Sequence, residues 1–358
     1  MRKLLLGFAI SIFTFTACDD TEDNTYSVPA NYSFENVDYS GQETRLAMLA
    51  EMTALAKTGN NGDLVEANTL ANMYANVNAP FSDASLNSAD KDLKSKTFEL
   101  DQQMVESFFT QIENASQSAG ATGSNGVAGL VTTNDGSSTY LFDENGYEPV
   151  QLIEKGLMGS CFYYQMLAVY LSEEKIGAAV DNNQVTAGKG TDMEHHWDEA
   201  FGYTAFPQDY PSNSSSLSFW AKYINGRDEL LGSGEILMNA FIEGRAAISA
   251  SDMDTKNEMA DIIKAEMERV SGATAIHYIN AALNAYSDDA VRNHTLSEAW
   301  AFINALQYNP NKSISTEQIN QAIALLGNNF YETPRADLSA AKDLLANALG
   351  LTSVADQL

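Results

Sequence analysis

Cysteine, histidine, proline and positive charge are scarce in this chain of 358 residues, and each shortage excludes something. Lys and Arg number 20 against 48 Asp and Glu, a formal net charge of −28. Nucleic-acid affinity rests on basic groups neutralising phosphate, so a binder held by a general basic field is excluded. Charged residues make up only 19% and hydrophobic ones 44%, with 7 prolines. Such a chain has ample apolar material to close a core and is not intrinsically disordered. Catalytic signatures are missing too. There is no His-Glu-x-x-His of a zinc peptidase, no paired Glu-x-x-His of a di-iron bundle, no Gly-x-Ser-x-Gly elbow and no Gly-x-x-x-x-Gly-Lys phosphate loop.

The amino terminus carries the clearest address. Arg2 and Lys3 precede an apolar run from Leu4 to Phe15, and small residues then lead to Cys18, the three-part layout of a secretory signal over residues 1–17. The run is shorter than the roughly 20 apolar residues that a bilayer span requires, and no second run of that kind follows. Phe15-Thr16-Ala17-Cys18 resembles a bacterial lipobox, which implies a membrane anchor through lipid on Cys18. Loss of Arg2 and Lys3 leaves 18 basic against 48 acidic groups, a net of −30. Asp19-Asp20-Thr21-Glu22-Asp23-Asn24 resembles the surface-export signal of Bacteroidetes lipoproteins, and a solvated linker reads the same way. With Cys18 acylated, Cys161 is the only thiol and no intramolecular disulfide forms. The expected location is the outer membrane, lipid-anchored and exposed at the cell surface.

Residues 18–40 read as a lipidated tether and extended arm that docks Tyr26, Tyr32, Phe34 and Tyr39 on the body. Residues 41–358 read as one all-α domain, with a subdivision near 180–190 left open. From Glu43, apolar residues recur at threes and fours (Leu46, Leu49, Met52, Leu55, Ala56) until Gly59-Asn60-Asn61-Gly62 stops the helix. Similar spacing predicts helices over about 63–76, 100–116, 149–173, 192–205, 215–225, 232–250, 254–286, 295–308, 315–327 and 337–349. A break at Ser271-Gly272 is an alternative within the longest. Gly, Ser, Thr and Asn crowd 117–147 and predict a long surface loop with a short hairpin near Thr139–Phe142, and 181–191 is a second loop. The predicted architecture is an all-α helical bundle of about ten helices.

The segment Val28-Pro-Ala-Asn-Tyr-Ser-Phe-Glu-Asn-Val-Asp-Tyr-Ser-Gly-Gln-Glu-Thr-Arg45-Leu46 resembles the opening of a Bacteroidetes lipoprotein family catalogued as a domain of unknown function. The similarity extends through His195-His196-Trp197-Asp198-Glu199-Ala200-Phe201-Gly202-Tyr203 and the Ser297-Glu298-Ala299-Trp300 region, most of the mature chain. It implies an exported helical lipoprotein and brings no established activity. His196-x-x-Glu199 is similar to the His-x-x-Glu motif of imelysin-like proteins. Those are helical-bundle proteins of bacterial envelopes associated with iron uptake and suspected metal binding. Glu194 stands where the imelysin glycine usually precedes the histidine by two positions.

All four histidines (His195, His196, His277, His294) fall within one stretch of 100 residues. His195-x-x-x-Glu199-Ala-Phe-Gly-Tyr203 aligns with His294-x-x-x-Glu298-Ala-Trp-Ala-Phe302, and each cassette follows a long helix rich in small and aromatic residues. A degenerate duplication of a helix pair and a chance resemblance both fit. On a helix, Met193, Trp197, Ala200, Phe201 and Thr204 form the buried stripe, with His196 and Tyr203 at its edge, Glu199 beside them and His195 pointing almost the opposite way. His196 and Glu199, three apart, then offer one nitrogen and one carboxylate to the same ion. Glu298, His294 and His277 are the further suppliers, and such a ligand set suits Fe, Zn or Mn better than Cu(I). The competing reading is packing and capping: Thr191-x-x-Glu194 and Thr295-x-x-Glu298 both have capping-box spacing. Cys161, in an apolar helical run, reads as an inert buried thiol. Asp143 to Glu148 reads as a turn, not a calcium loop. Phe219, Trp220 and Tyr223 read as core.

The function expected from the sequence is that of a binding protein, not an enzyme: a surface lipoprotein that takes a metal ion or metal-bearing ligand through His196 and Glu199 and supports uptake by an outer-membrane transporter. The alternative is a structural or interaction lipoprotein with a protein or glycan partner.

Overall fold

Helix α1 (Ser40–Lys57) ends as its sequence predicts, in a 3-10 turn over Thr58–Asn61 that Gly62 closes at φ +91°. The computed structural model that shows this describes residues 26–118 and 120–358. The expected signal segment, Cys18 and the acidic tract behind it lie outside the described residues. After α1 come α2 (Ala67–Ala75), the single turn α3 (Ala84–Ser88) and α4 (Gln102–Gln117). A two-stranded antiparallel hairpin follows, β1 (Gly129–Thr132) with β2 (Thr139–Phe142), Leu130 opposite Leu141. The rest is helical: α5 (Pro149–Leu157), α6 (Glu173–Ile176), α7 (Asp192–Gly202), α8 (Phe219–Leu231) and α9 (Ser233–Ala250). Then come α10 (Met253–Asn284), α11 (Asp289–Ala305), α12 (Thr316–Leu326) and α13 (Arg335–Ala348). The fold is all-α, and one contiguous apolar core runs from Tyr32 to Leu358. Among the described residues no helix is long and apolar enough to cross a membrane.

The thirteen helices among the described residues exceed the expected number because α3 and α6 are four- or five-residue turns, too short to show a period. The predicted helix over 149–173 is α5 continuing as two π-helical segments, Met158–Tyr163 and Gln165–Tyr170. Outside donors claim its carbonyls: the Trp220 indole N–H bonds Met158 O at 3.0 Å and the Phe98 N–H bonds Ser160 O at 2.8 Å. A wider turn presents those oxygens sideways.

Two further expectations need correction. Helix α10 is unbroken at Ser271-Gly272, where glycine serves close packing: a Cβ there would stand 2.0 Å from Leu349 Cδ1. Helix α11 starts six residues before the predicted 295, because the Asp288 carboxylate accepts the Ala290 and Val291 N–H groups and caps it. Thr295-x-x-Glu298 therefore lies mid-helix and is no capping box. The Thr295 hydroxyl bonds back to Val291 O, and Glu298 is free to point inward.

Helix α10 is the central post, packed by α8, α9, α11 and α13. Helix α9 also carries α7, and their contact is tight at Gly244, where a Cβ would stand 2.1 Å from Trp197 Cζ2. That indole is fully buried and tied to Phe241 O at 2.9 Å, so it has no room to retreat. Gly244→Ala is expected to destabilise the protein by about 2 kcal/mol, the scale of overpacking, measured by urea unfolding.

The described part of the arm docks as expected. Tyr32 is fully buried, stacks on Phe201 at 3.8 Å, and its N–H bonds Gln208 O at 2.9 Å.

Candidate functional site

Helix α7 begins with a complete capping box, Thr191 with Glu194, and buries Met193, Trp197, Ala200 and Phe201. The same face carries two carboxylates inward, Glu194 and Asp198, four residues apart and so on one side of the helix. Arg245, on α9, meets both: Nη1 to Glu194 Oε1 at 2.6 Å and Nε to Asp198 Oδ1 at 3.0 Å. The Tyr32 hydroxyl donates to Asp198 Oδ1 at 2.6 Å, which ties the arm to the same network. Burial pushes the Asp198 carboxyl up to about 7 despite Arg245. Burial also pushes Glu194 up, but hydrogen bonds from Ser249 and the Thr191 N–H, with the Arg245 charge, outweigh it and hold Glu194 below its ordinary value.

His196 and Glu199 do not converge. The His196 Nδ1–H donates to Lys175 O at 2.7 Å, which leaves Nε2 to accept from the Lys175 ammonium at 3.4 Å. Glu199 Oε1 accepts from Gln42 Nε2 and from the Tyr170 hydroxyl, each at 3.0 Å. The histidine that Glu199 faces is His195, whose Nε2 lies 4.0 Å from Glu199 Oε2. Burial, then the Lys175 charge, depress the His196 imidazole.

The second cassette sits on α11 and faces the start of α5. His294 donates from Nδ1 to Glu148 Oε2, and Tyr140 of β2 stacks on its ring at 4.3 Å. Glu148 is fully buried and also accepts from Asn60 Nδ2 at 3.1 Å. Glu298 pairs with Lys155 at 3.1 Å, and Lys155 also reaches Glu154 at 2.7 Å. His277 stands on α10 beside Arg227 of α8, whose charge adds to burial in depressing the imidazole, against Glu298.

His277, His294 and Glu298 thus surround one polar core, while His196 and Glu199 attach at the far end of the α5 run. Lys155 and Tyr170, which mark the two ends, are fifteen residues apart, roughly 20 Å along a helix. The five predicted ligands therefore do not share one ion. Among the described residues, no group of three or more His, Cys, Asp or Glu side chains is arranged to hold a metal. At three of the five predicted positions the protein supplies its own cation: Lys175 at His196, Lys155 at Glu298, Arg227 at His277.

The likeness of the two cassettes has a structural counterpart. Glu199 holds the Tyr170 hydroxyl, and Tyr170 lies 6.0 Å from the Tyr203 ring. At the aligned positions, Glu298 neighbours Tyr278, which lies 6.0 Å from the Phe302 ring. In both, a tyrosine from the preceding long helix stands between the cassette's glutamate and its aromatic.

Arg245, Lys155 and Glu148 were not among the predicted residues. A trace of the first was present: Glu194 and Asp198 flank Trp197 on its buried stripe, and α9 carries a single arginine amid Ala240–Ile248. Cys161 is buried, and burial pushes its thiol up to about 12, too high to act as a nucleophile. Asp143 organises the expected turn by accepting the Asn145 and Tyr147 N–H groups.

A groove runs along α1 opposite the start of α8. Two cavities of about 260 and 470 Å³ share Leu46, Leu217 and Ser218 and so join end to end. Ala47, Ala50 and Ala54 make its floor, and Lys57, Glu154 and Lys222 close one end. Two lining residues, Ala205 at φ +61° and Phe219 at φ +46°, hold left-handed backbone that side chains avoid. Such strain concentrates at functional surfaces.

No curated protein and no solved structure matches the chain. A family model described as domain of unknown function (DUF4856) matches residues 23–332, which takes in the arm, the groove and both cassettes, and the chain belongs to that family.

Proposed function

We propose that this protein is a lipid-anchored envelope protein, exposed at the cell surface, that binds an extended segment of a partner protein in the groove of α1 and is not an enzyme. The observation that carries this reading is the groove. From Leu46 to Lys57 it spans about 16 Å of helix, the length of about five extended residues. An alanine floor lets a backbone approach closely, and the lysines at one end stand out in a chain with 20 basic residues. A glycan site would present open ring faces, whereas Phe219 here is 8% exposed. The lipobox-like Phe15–Cys18, the acidic tract and the likeness to Bacteroidetes lipoproteins support the location.

Selection of random heptapeptides on the mature chain tests it. Enrichment of peptides that Ala50→Trp releases, with melting temperature unchanged, supports the reading, because Ala50 is exposed and a ring there fills the groove. Enrichment that Ala50→Trp leaves intact removes it. Binding on a glycan array and not to peptides transfers the site to the glycan alternative.

A divalent ion, in support of uptake through an outer-membrane transporter and after the imelysin-like His-x-x-Glu, is the second reading. One distance favours it: the 4.0 Å between His195 Nε2 and Glu199 Oε2 across one turn of α7. The ion-holding pair is then His195 with Glu199. Elemental analysis after incubation with Fe, Zn and Mn is expected to find about one ion per chain, lost in His195→Ala and kept in His196→Ala. No retained ion ends this reading.

A further inference from the structure

Six arginines stand among the described residues, and five of them have acceptors. Arg245 meets Glu194 and Asp198, Arg269 meets Glu266, and Arg292 meets Asp289. Arg45 donates to the Asp92 and Gly41 carbonyls and Arg335 to Leu283 O. Arg227 alone has none, and its Nε is buried without a hydrogen bond. In a chain with 48 carboxylates this is not a shortage of partners.

His277 stands beside it, half-buried and with neither ring nitrogen hydrogen-bonded. The groups around the pair are Tyr223 from α8, Tyr278 from α10 and Glu298 from α11, whose carboxylate is engaged by Lys155 at 3.1 Å. Tyr223 and Tyr278 pack on Phe302 with ring centroids 4.6 and 6.0 Å away and give the place an aromatic wall.

We infer that Arg227 and His277 form a binding site for an oxyanion, the carboxylate or phosphate group of a small molecule. Burial and the Arg227 charge hold the neighbouring imidazole in its neutral form, and neither group has an acceptor among the described residues. An oxyanion there accepts from the planar guanidinium fork and from the imidazole N–H together. A metal ion on His277 would put a second cation beside the Arg227 guanidinium. The site is separate from the groove and does not rest on it.

The test is titration of the mature chain, residues 19–358, with sodium phosphate or sodium benzoate at pH 6, against sodium chloride of equal ionic strength. The four histidine Cε1–H signals are followed by NMR, with His277 assigned through His277→Gln. The expected result is a saturable shift of His277 alone and a rise of its titration midpoint by about one pH unit, equal to about tenfold tighter binding to the protonated form. Arg227→Gln is expected to abolish both while melting no lower than the wild type, since it removes an unsatisfied cation. Phosphate acting more strongly assigns a phosphoryl group, and benzoate acting more strongly assigns an aromatic carboxylate. An unmoved His277, a shift matched by chloride, or one that persists in Arg227→Gln overturns the site.

Discussion

Replacing Arg245 by alanine is expected to cost about 3–5 kcal/mol of stability, the largest single effect we predict. The guanidinium is 1% exposed, and its removal leaves two carboxylates, Glu194 and Asp198, inside the fold with no counter-ion. The triad as a whole is worth far less than this loss, because its formation already required desolvating three charges. A double variant, Arg245→Met with Asp198→Asn, is therefore expected to recover part of the stability. The Arg245→Ala loss should also be smaller at pH 5 than at pH 8. Burial already pushes Asp198 up to about 7, so without its cation the folded state binds a proton that the unfolded state has released, and stability falls as pH rises. Urea unfolding at the two pH values measures both expectations. A loss under about 1 kcal/mol at pH 8 would mean that water reaches the network. Because Tyr32 bonds the same Asp198 oxygen, the arm is expected to become more sensitive to limited proteolysis in the variant.

The second large effect concerns His294. His294→Ala strips the fully buried Glu148 of its charged partner and leaves it Asn60 and a long contact to Gln151 at 3.4 Å. A loss of about 3 kcal/mol at pH 7 is expected. Burial alone would lower the His294 imidazole, but the Glu148 carboxylate outweighs it and holds the group above its ordinary value. The sign follows: the folded state binds this proton more tightly than the unfolded one. The contribution is complete below about pH 6.5 and is lost as pH rises through the raised value. Glu148→Gln removes what raises the group, so the NMR midpoint of His294 is expected to fall from above to below the ordinary histidine value. An unchanged midpoint would show that Glu148 does not set it.

Much of the helical layout was legible because local rules suffice for it. Gly59 to Gly62 stops α1, Thr191 with Glu194 starts α7, and Ser315 with Gln318 starts α12 by the same box. The same rule failed at Thr295 with Glu298, since Asp288 had already capped the helix and Lys155 had claimed the glutamate. The π segments after α5 were illegible because their cause, donors from Trp220 and Phe98, lies more than sixty residues away in both directions.

Sequence alone determined that the chain is helical and that two similar cassettes carry His and Glu residues at matching positions. These follow from periodicity and from short motifs, whose partners are a few residues apart. Only the tertiary structure decided what those groups do. His294 meets Glu148 across 146 residues and Arg245 meets Asp198 across 47. Pairings of that separation are set by how the helices pack, and no local pattern specifies them. Packing placed Lys175, Lys155 and Arg227 beside the expected ligands, and left one of the three, Arg227, with no acceptor of its own.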